Sequence, residues 1–225
     1  MTSTPVPVDP WVVRWLSAPR FATYLQAACN DPRRALDLYE WNAQLSAAVL
    51  RDLAHIEIGL RNAYDDALSQ HWPGRTHWAR SPGQIFAPLT RTRNGRRVDI
   101  NARMRDHLEA ACRRVSPTAP PGKIVAELPF GFWRYLSSAA HEKTLWVRYL
   151  YHAFPPGTDR KADVDDRVRQ LHALRNRVAH HEPLLRENVR SHIAAGQALA
   201  HMLIPSLAQH IASTSSVLHV VSQRP

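Results

Sequence analysis

The chain has 225 residues, 44% of them hydrophobic and 21% charged, with 29 Lys and Arg against 19 Asp and Glu for a formal net charge of +10. That balance suits one large folded domain or two small ones, argues against wholesale disorder, and contains no run of about 18 uncharged apolar residues that would span a membrane. The first nine residues lack the basic-then-apolar order of a secretory signal, and Cys29 and Cys112 have neither zinc spacing nor a disulfide framework, so both read as small apolar side chains of a reduced, cytoplasmic protein.

In chain order, the pattern predicts helix after helix, with no sustained alternation of the strand kind. A short helix is expected over 20–28. Asp31 followed by Pro32 gives a side-chain acceptor at the N-cap and then a residue whose missing N–H costs nothing. From there a long helix runs to about residue 70, with Leu38, Leu45, Val49, Leu53, Ile56, Leu60 and Ala63 on one face, and Trp72-Pro73-Gly74 closes it. Gly59 inside that run marks a weak point or a close crossing of another helix. Residues 73–97 form a basic, turn-rich insert. Asn94-Gly95 within it carries a hairpin signal whose basic flanks weaken a strand reading.

A helix over 99–114 follows, with Ile100, Met104, Leu108 and Ala111 inward, and then a Ser/Pro-rich loop over 115–122. The aromatic block from Leu128 to Leu136 leads into helix, and Trp146, Tyr149, Leu150 and Ala153 continue its apolar face. Phe130, Phe132, Trp133 and Tyr135 are of the type that stacks RNA bases, but their apolar continuity favours core packing. A helix over 163–181 stops at Pro183, a last helical pair over 187–212 kinks at Pro205, and 213–225 reads as a frayed polar tail. The expected fold is one all-α domain with its core over about 20–212.

The charge is concentrated. Residues 1–74 carry a net −2, residues 75–114 a net +7 and residues 115–225 a net +5. A focused positive field is what a polyanion partner requires, because phosphate contacts release counterions and dominate affinity. Arg91, Arg93, Arg96, Arg97 and Arg103, with Arg177 farther along, are the candidate RNA-binding residues. The plainer reading is a GC-rich genome, since 26 of the 29 cations are arginine.

The stretch that carries chemistry is Leu174-Arg175-Asn176-Arg177-Val178-Ala179-His180-His181-Glu182-Pro183. Metal-free RNA cleavage uses these residue types. A neutral imidazole takes the 2′-hydroxyl proton or protonates the leaving oxygen near neutral pH. A guanidinium holds the scissile phosphate and stabilises charge that develops on it, and an amide orients either group. On a regular helix Asn176 and His180 share a face, whereas Arg175 and His180 lie roughly 140° apart. One helix therefore positions that pair poorly, unless the arginine curls round or two copies share the site across a two-fold axis. The structural alternative makes Arg175 a core arginine paired with Glu57, for which Arg61 competes, and makes His180 and His181 cations favoured at a helix C-terminus. None of the 13 histidines forms an H-E-x-x-H pair and no Gly-rich phosphate loop occurs, so no metal or cofactor is expected.

Three ordered blocks carry a family resemblance. They are Leu38-Tyr39-x-Trp41-Asn42-x-x-Leu45-Ser46 running to Glu57-Ile58-x-Leu60-Arg61-Asn62-Ala63, then Leu128 to Trp133, then Leu174 to Leu184. Arg175-Asn176-x-x-x-His180 matches the R-x4-6-H motif of the HEPN superfamily, and the blocks together resemble the Abi-like family of bacterial abortive-infection proteins over about residues 20–210. The resemblance implies a HEPN-like helical bundle, a homodimer across the motif helix, and a toxin or phage-defence role. It also implies metal-independent RNA cleavage that leaves 2′,3′-cyclic phosphate and 5′-hydroxyl ends. Arg175 would then grip the phosphate, His180 would be the general acid/base and Asn176 would support them, with Glu57, Arg61, Asn62 and His181 bracing the site. An antitoxin or other defence-system partner fits the same reading. Where some relatives carry a modifiable tyrosine two positions after the histidine, this chain has Glu182. The alternative is a non-catalytic dimeric module that binds RNA or protein.

Overall fold

The computed structural model describes residues 8–225, and residues 1–7, where most of the signal-peptide reading falls, lie outside the described residues. Its organising element is α3 (Pro32–His71), 40 residues long and hence about 60 Å from end to end. It starts as the sequence predicts. The Asp31 carboxylate accepts from the backbone N–H of Arg33 at 2.9 Å and of Arg34 at 3.3 Å. Leu38, Leu45, Val49, Leu53, Ile56 and Leu60 are buried along one face, while Ala63 is half-buried.

Two helices precede α3: α1 (Pro10–Leu16) and α2 (Ala18–Ala27). The sequence reading did not include α1, which buries Val12 and Leu16, four residues apart, and leaves Trp11 and Trp15 exposed and stacked on each other. Cys29 sits exposed in a left-handed turn with φ 53°, a correction to its expected buried role. Cys112 is half-buried, and its thiol donates to the Ala79 carbonyl at 3.2 Å.

Residues 73–97 are more ordered than an irregular loop. A 3₁₀ turn (Trp78–Arg80) buries Trp78, and α4 (Pro82–Ile85) buries Ile85. The strands β1 (Thr90–Arg93) and β2 (Arg96–Asp99) then form an antiparallel hairpin with Arg93 opposite Arg96 and Arg91 opposite Val98. Asn94 and Gly95 both have positive φ, 49° and 74°, the backbone a two-residue type I′ turn requires. At the hairpin's base the Asp99 carboxylate accepts from Leu89 N–H (2.9 Å), Asn101 N–H (3.0 Å) and Arg105 Nη2 (2.7 Å). Those bonds hold its carboxyl below the usual aspartate range, the Arg105 bond contributing most.

The remaining helices are α5 (Ala102–Arg114), α6 (Pro121–Ala126), α7 (Phe130–Leu136), α8 (Asp166–Ala179), α9 (Val189–Leu203), α10 (Pro205–Thr214) and α11 (Val217–Ser222). The fold is all-α, with the hairpin its sole sheet among the described residues. Phe130, Phe132 and Trp133 are core residues, Phe132 packing against Phe86 and Trp133 against Trp78. Helix α7 does not continue through residue 153. After Ser137, whose hydroxyl donates back to the Arg134 carbonyl at 3.3 Å, the chain takes 3₁₀ and π turns over 139–153. Local side-chain bonds of that kind compete with the helical ladder.

The expected kink at Pro205 is a full break. Ile204 is extended (φ −151°, ψ 101°), the conformation favoured before a proline. Gly59 marks the close crossing foreseen, since a Cβ there would stand 2.7 Å from Leu207 Cδ2 on α10. The expected frayed tail is also corrected. Helix α11 buries Val217 and Val220, the Trp41 indole donates to the Val220 carbonyl at 2.7 Å, and the Arg224 guanidinium lies over the Trp41 ring.

Candidate active site

Helix α8 follows a π turn (Arg160–Asp165) whose N-cap Asp159 accepts from Ala162 N–H at 2.6 Å. Val164, Val168, Leu171, Leu174 and Val178 bury one face against the core. The side chains at the edge of that face are half-buried and turned toward open space: His172, Arg175 and Asn176. Three and four residues apart, they share one side of the helix.

They form one wall of a groove of about 900 Å³ between α8, α7 and the start of α5. Arg134 contributes from α7, and Arg103 and His107 from α5. Arg175 makes no hydrogen bond and no ion pair within 4 Å among the described residues. The Arg134 Nε is buried with no hydrogen-bond partner. Asn176 Nδ2 stands about equally far from both ring nitrogens of His172, 3.5 and 3.4 Å, a contact rather than a well-aimed hydrogen bond. The other side of the His172 ring meets Phe130 edge-on, with centroids 5.5 Å apart. Gly131 lies against Nε2, where a Cβ would come within 3.2 Å. Burial lowers the His172 pKa from the ordinary histidine value, and Arg134 and Arg175 lower it further. The imidazole is therefore neutral at neutral pH, with free guanidinium charge nearby.

The structure does not bring His180 into this groove. It is the exposed C-cap of α8. The helix ends in a Schellman arrangement, with Glu182 N–H bonded to the Arg177 carbonyl at 2.9 Å and His181 N–H to the Val178 carbonyl at 3.0 Å. His181 takes the left-handed position at φ 55°, and its carbonyl accepts from Arg20 at 3.4 Å. Both histidines thus occupy the helix-terminal places that the structural alternative foresaw.

Glu57 is close enough to Arg175 for each charge to feel the other without forming an ion pair. Burial raises the Glu57 carboxyl pKa, and Arg175 and then Arg61 pull it back. The Arg61 Nε is buried without a hydrogen-bond partner, and Asn62 faces solvent on α3. Arg91, Arg96 and Arg97 are exposed on the hairpin, and none has an ion pair among the described residues. Arg93 ends β1, and its side chain lies outside what the structure describes. Arg177 is held by Glu182 at 3.3 Å and Glu187 at 3.2 Å, so its charge is locally matched.

Sequence reasoning missed His172 and Arg134. The signal for His172 was present, because it precedes Arg175 by three and Asn176 by four on a helix already predicted. Arg134 lies on another helix, and nothing local to it announced the groove. Among the described residues, no group of three or more His, Cys, Asp or Glu is placed to hold a metal ion, and no helix is long and apolar enough to cross a membrane. No family model, curated protein or solved structure matches this chain.

Proposed function

We propose that this protein is a metal-independent endoribonuclease of the abortive-infection type, a toxin-like activity in bacterial defence. The observation that carries the reading is Arg175, a half-buried guanidinium on a groove wall with no hydrogen bond or ion pair of its own among the described residues. A group of that kind is a pre-formed receptor for a phosphodiester: it holds the ground-state anion and gains as charge develops on the phosphoryl oxygens. Asn176 stands beside it to orient substrate.

The hairpin supports the same reading. It carries Arg91, Arg96 and Arg97, all exposed and without an ion pair among the described residues. Unmatched guanidinium charge of that kind is what a polyanion-binding surface gains from. His180, at the end of α8 and outside the groove, would reach a scissile phosphate only from a second copy of the chain, the homodimer the motif's relatives imply.

The second reading, a non-catalytic dimeric module that binds RNA or a protein partner, is favoured by the nearness of Glu57 to Arg175 and by the outward position of His180. Incubating purified protein with mixed RNAs in EDTA and identifying the product ends separates the two. The ribonuclease reading expects 2′,3′-cyclic phosphate and 5′-hydroxyl ends from wild type and loss of cleavage in Arg175→Ala. Salt-sensitive RNA binding without turnover supports the module instead.

A further inference from the structure

The proposed reaction needs a group that takes the 2′-hydroxyl proton, and the groove contains an imidazole that no motif assigns. Resting on the ribonuclease reading, we infer that His172, and not His180, is the proton-accepting catalytic residue, acting within one chain in the groove it shares with Arg134 and Arg175.

Four observations converge on it. His172 lines the groove on the same helical side as Arg175 and Asn176, so the base and the phosphate-holding groups arise from a single turn of α8. The ring packs edge-on against Phe130, and Asn176 Nδ2 stands within 3.5 Å of it. The residue behind it is Gly131, where a methyl group would press within 3.2 Å of Nε2. Finally, Arg134 on the adjoining wall has a buried Nε with no partner. Two guanidinium groups around one histidine, without an acidic partner for either within 4 Å among the described residues, form a receptor for an anion and not an ion-pair network.

The chemistry balances without a metal or co-reactant. An unprotonated ring nitrogen of His172 takes the 2′-hydroxyl proton as O2′ bonds to phosphorus. The P–O5′ bond breaks, and the 5′-oxygen leaves with a proton from water in the open groove. The imidazolium then returns its proton to solvent, leaving a cyclic phosphate and a free 5′-hydroxyl. Arg175 and Arg134 offset the negative charge that builds on the phosphoryl oxygens.

The pH dependence follows from the surroundings. The charged and titratable groups around the groove are Arg134 and Tyr135 from α7, Arg175 from α8, Arg103, Asp106 and His107 from α5, and the Asp99 carboxylate already bonded to Arg105. Burial and the two arginines hold His172 below the ordinary histidine range. Activity that depends on its neutral form therefore falls off in acid with a midpoint below the ordinary histidine value of about 6.5.

The test compares wild type, His172→Ala, His172→Gln and His180→Ala on single-stranded RNA in EDTA, across pH, with and without added imidazole. The expected result is cleavage by wild type and by His180→Ala, with a loss of about 100-fold or more in both His172 variants. Imidazole should rescue His172→Ala, and the acid limb of the rescued reaction should move up in pH, following the ionisation of the added imidazole instead of that of His172. His172→Gln keeps the bulk beside Phe130, so loss of cleavage with an unchanged melting temperature excludes a folding defect. Cleavage by the His172 variants at the wild-type rate, or loss confined to His180→Ala, overturns the inference and leaves the ribonuclease reading intact. An inactive wild type that nonetheless binds RNA overturns that reading and this assignment with it.

Discussion

Asn42 is buried on α3, and its side-chain oxygen accepts from the backbone N–H of Leu184 at 2.7 Å across 142 positions of sequence. Leu184 is itself buried, just past the histidines that end α8. Replacing Asn42 with Ala removes the acceptor and strands that N–H away from water, at a cost of about 1–3 kcal/mol. For a domain of this size each kcal/mol moves the melting temperature by roughly 2–4 °C, so Asn42→Ala should melt about 4–8 °C lower for a cost near the middle of that range. Asn62, on the same helix and in the same sequence block, is exposed, and Asn62→Ala should change stability by less than about 0.5 kcal/mol. Differential scanning calorimetry of both variants makes the comparison, and hydrogen exchange should show faster opening around residue 184 in Asn42→Ala alone. Equal melting temperatures for the two variants would refute the argument that Asn42 ties the end of α8 to α3.

Three further outcomes are expected. His181→Gly should raise stability by about 1 kcal/mol, because glycine adopts the left-handed backbone at φ 55° without the penalty of a side chain; thermal melting reads it, and cleavage should be unaffected since His181 lies outside the groove. His141 is fully buried, and burial pushes its pKa down to about 4; the unfolded chain takes up this proton near pH 6.5 and the folded chain only near 4, so its contribution is whole above pH 6.5 and is lost as pH falls toward 4, by about 3 kcal/mol, and urea unfolding at pH 7 and pH 4.5 should show a smaller loss in His141→Asn than in wild type. Replacing Arg91, Arg96 and Arg97 together by Ala should weaken RNA binding and reduce the slope of log affinity against log salt by up to about 2 for single strands, measured by fluorescence anisotropy; an unchanged slope would remove the hairpin from the interface.

Local signals specified much of this fold. Asp31-Pro32 announced the start of α3, the apolar spacing from Leu38 to Leu60 announced its buried face, and Asn94-Gly95 announced the hairpin turn despite its basic flanks. What sequence could not give was tertiary competition. Residues 139–153 have helical spacing, yet the Ser137 bond to the Arg134 carbonyl and the burial of Leu145 and Trp146 hold them in tighter and wider turns. The C-terminal residues read as polar and loose because their partners, Trp41 above all, lie some 180 positions away in the chain. The site was half legible for a similar reason. Helical spacing correctly set Arg175 and His180 apart, but the groove that gathers Arg175 with His172, Arg134 and His107 is built by three helices and has no linear signature.

The segment that ends α8 is fastened from three directions. Arg20 of α2 reaches the His181 carbonyl, Asn42 of α3 reaches the Leu184 amide, and Arg224 after α11 reaches the Leu185 carbonyl at 3.1 Å. The six-residue motif is therefore not a portable cassette. Grafted onto another helix, Arg-Asn-x-x-x-His would carry the side chains but not the scaffold that decides which of them meets the groove, and a chain bearing the same six letters without counterparts of Arg20, Asn42 and Arg224 need not share their arrangement.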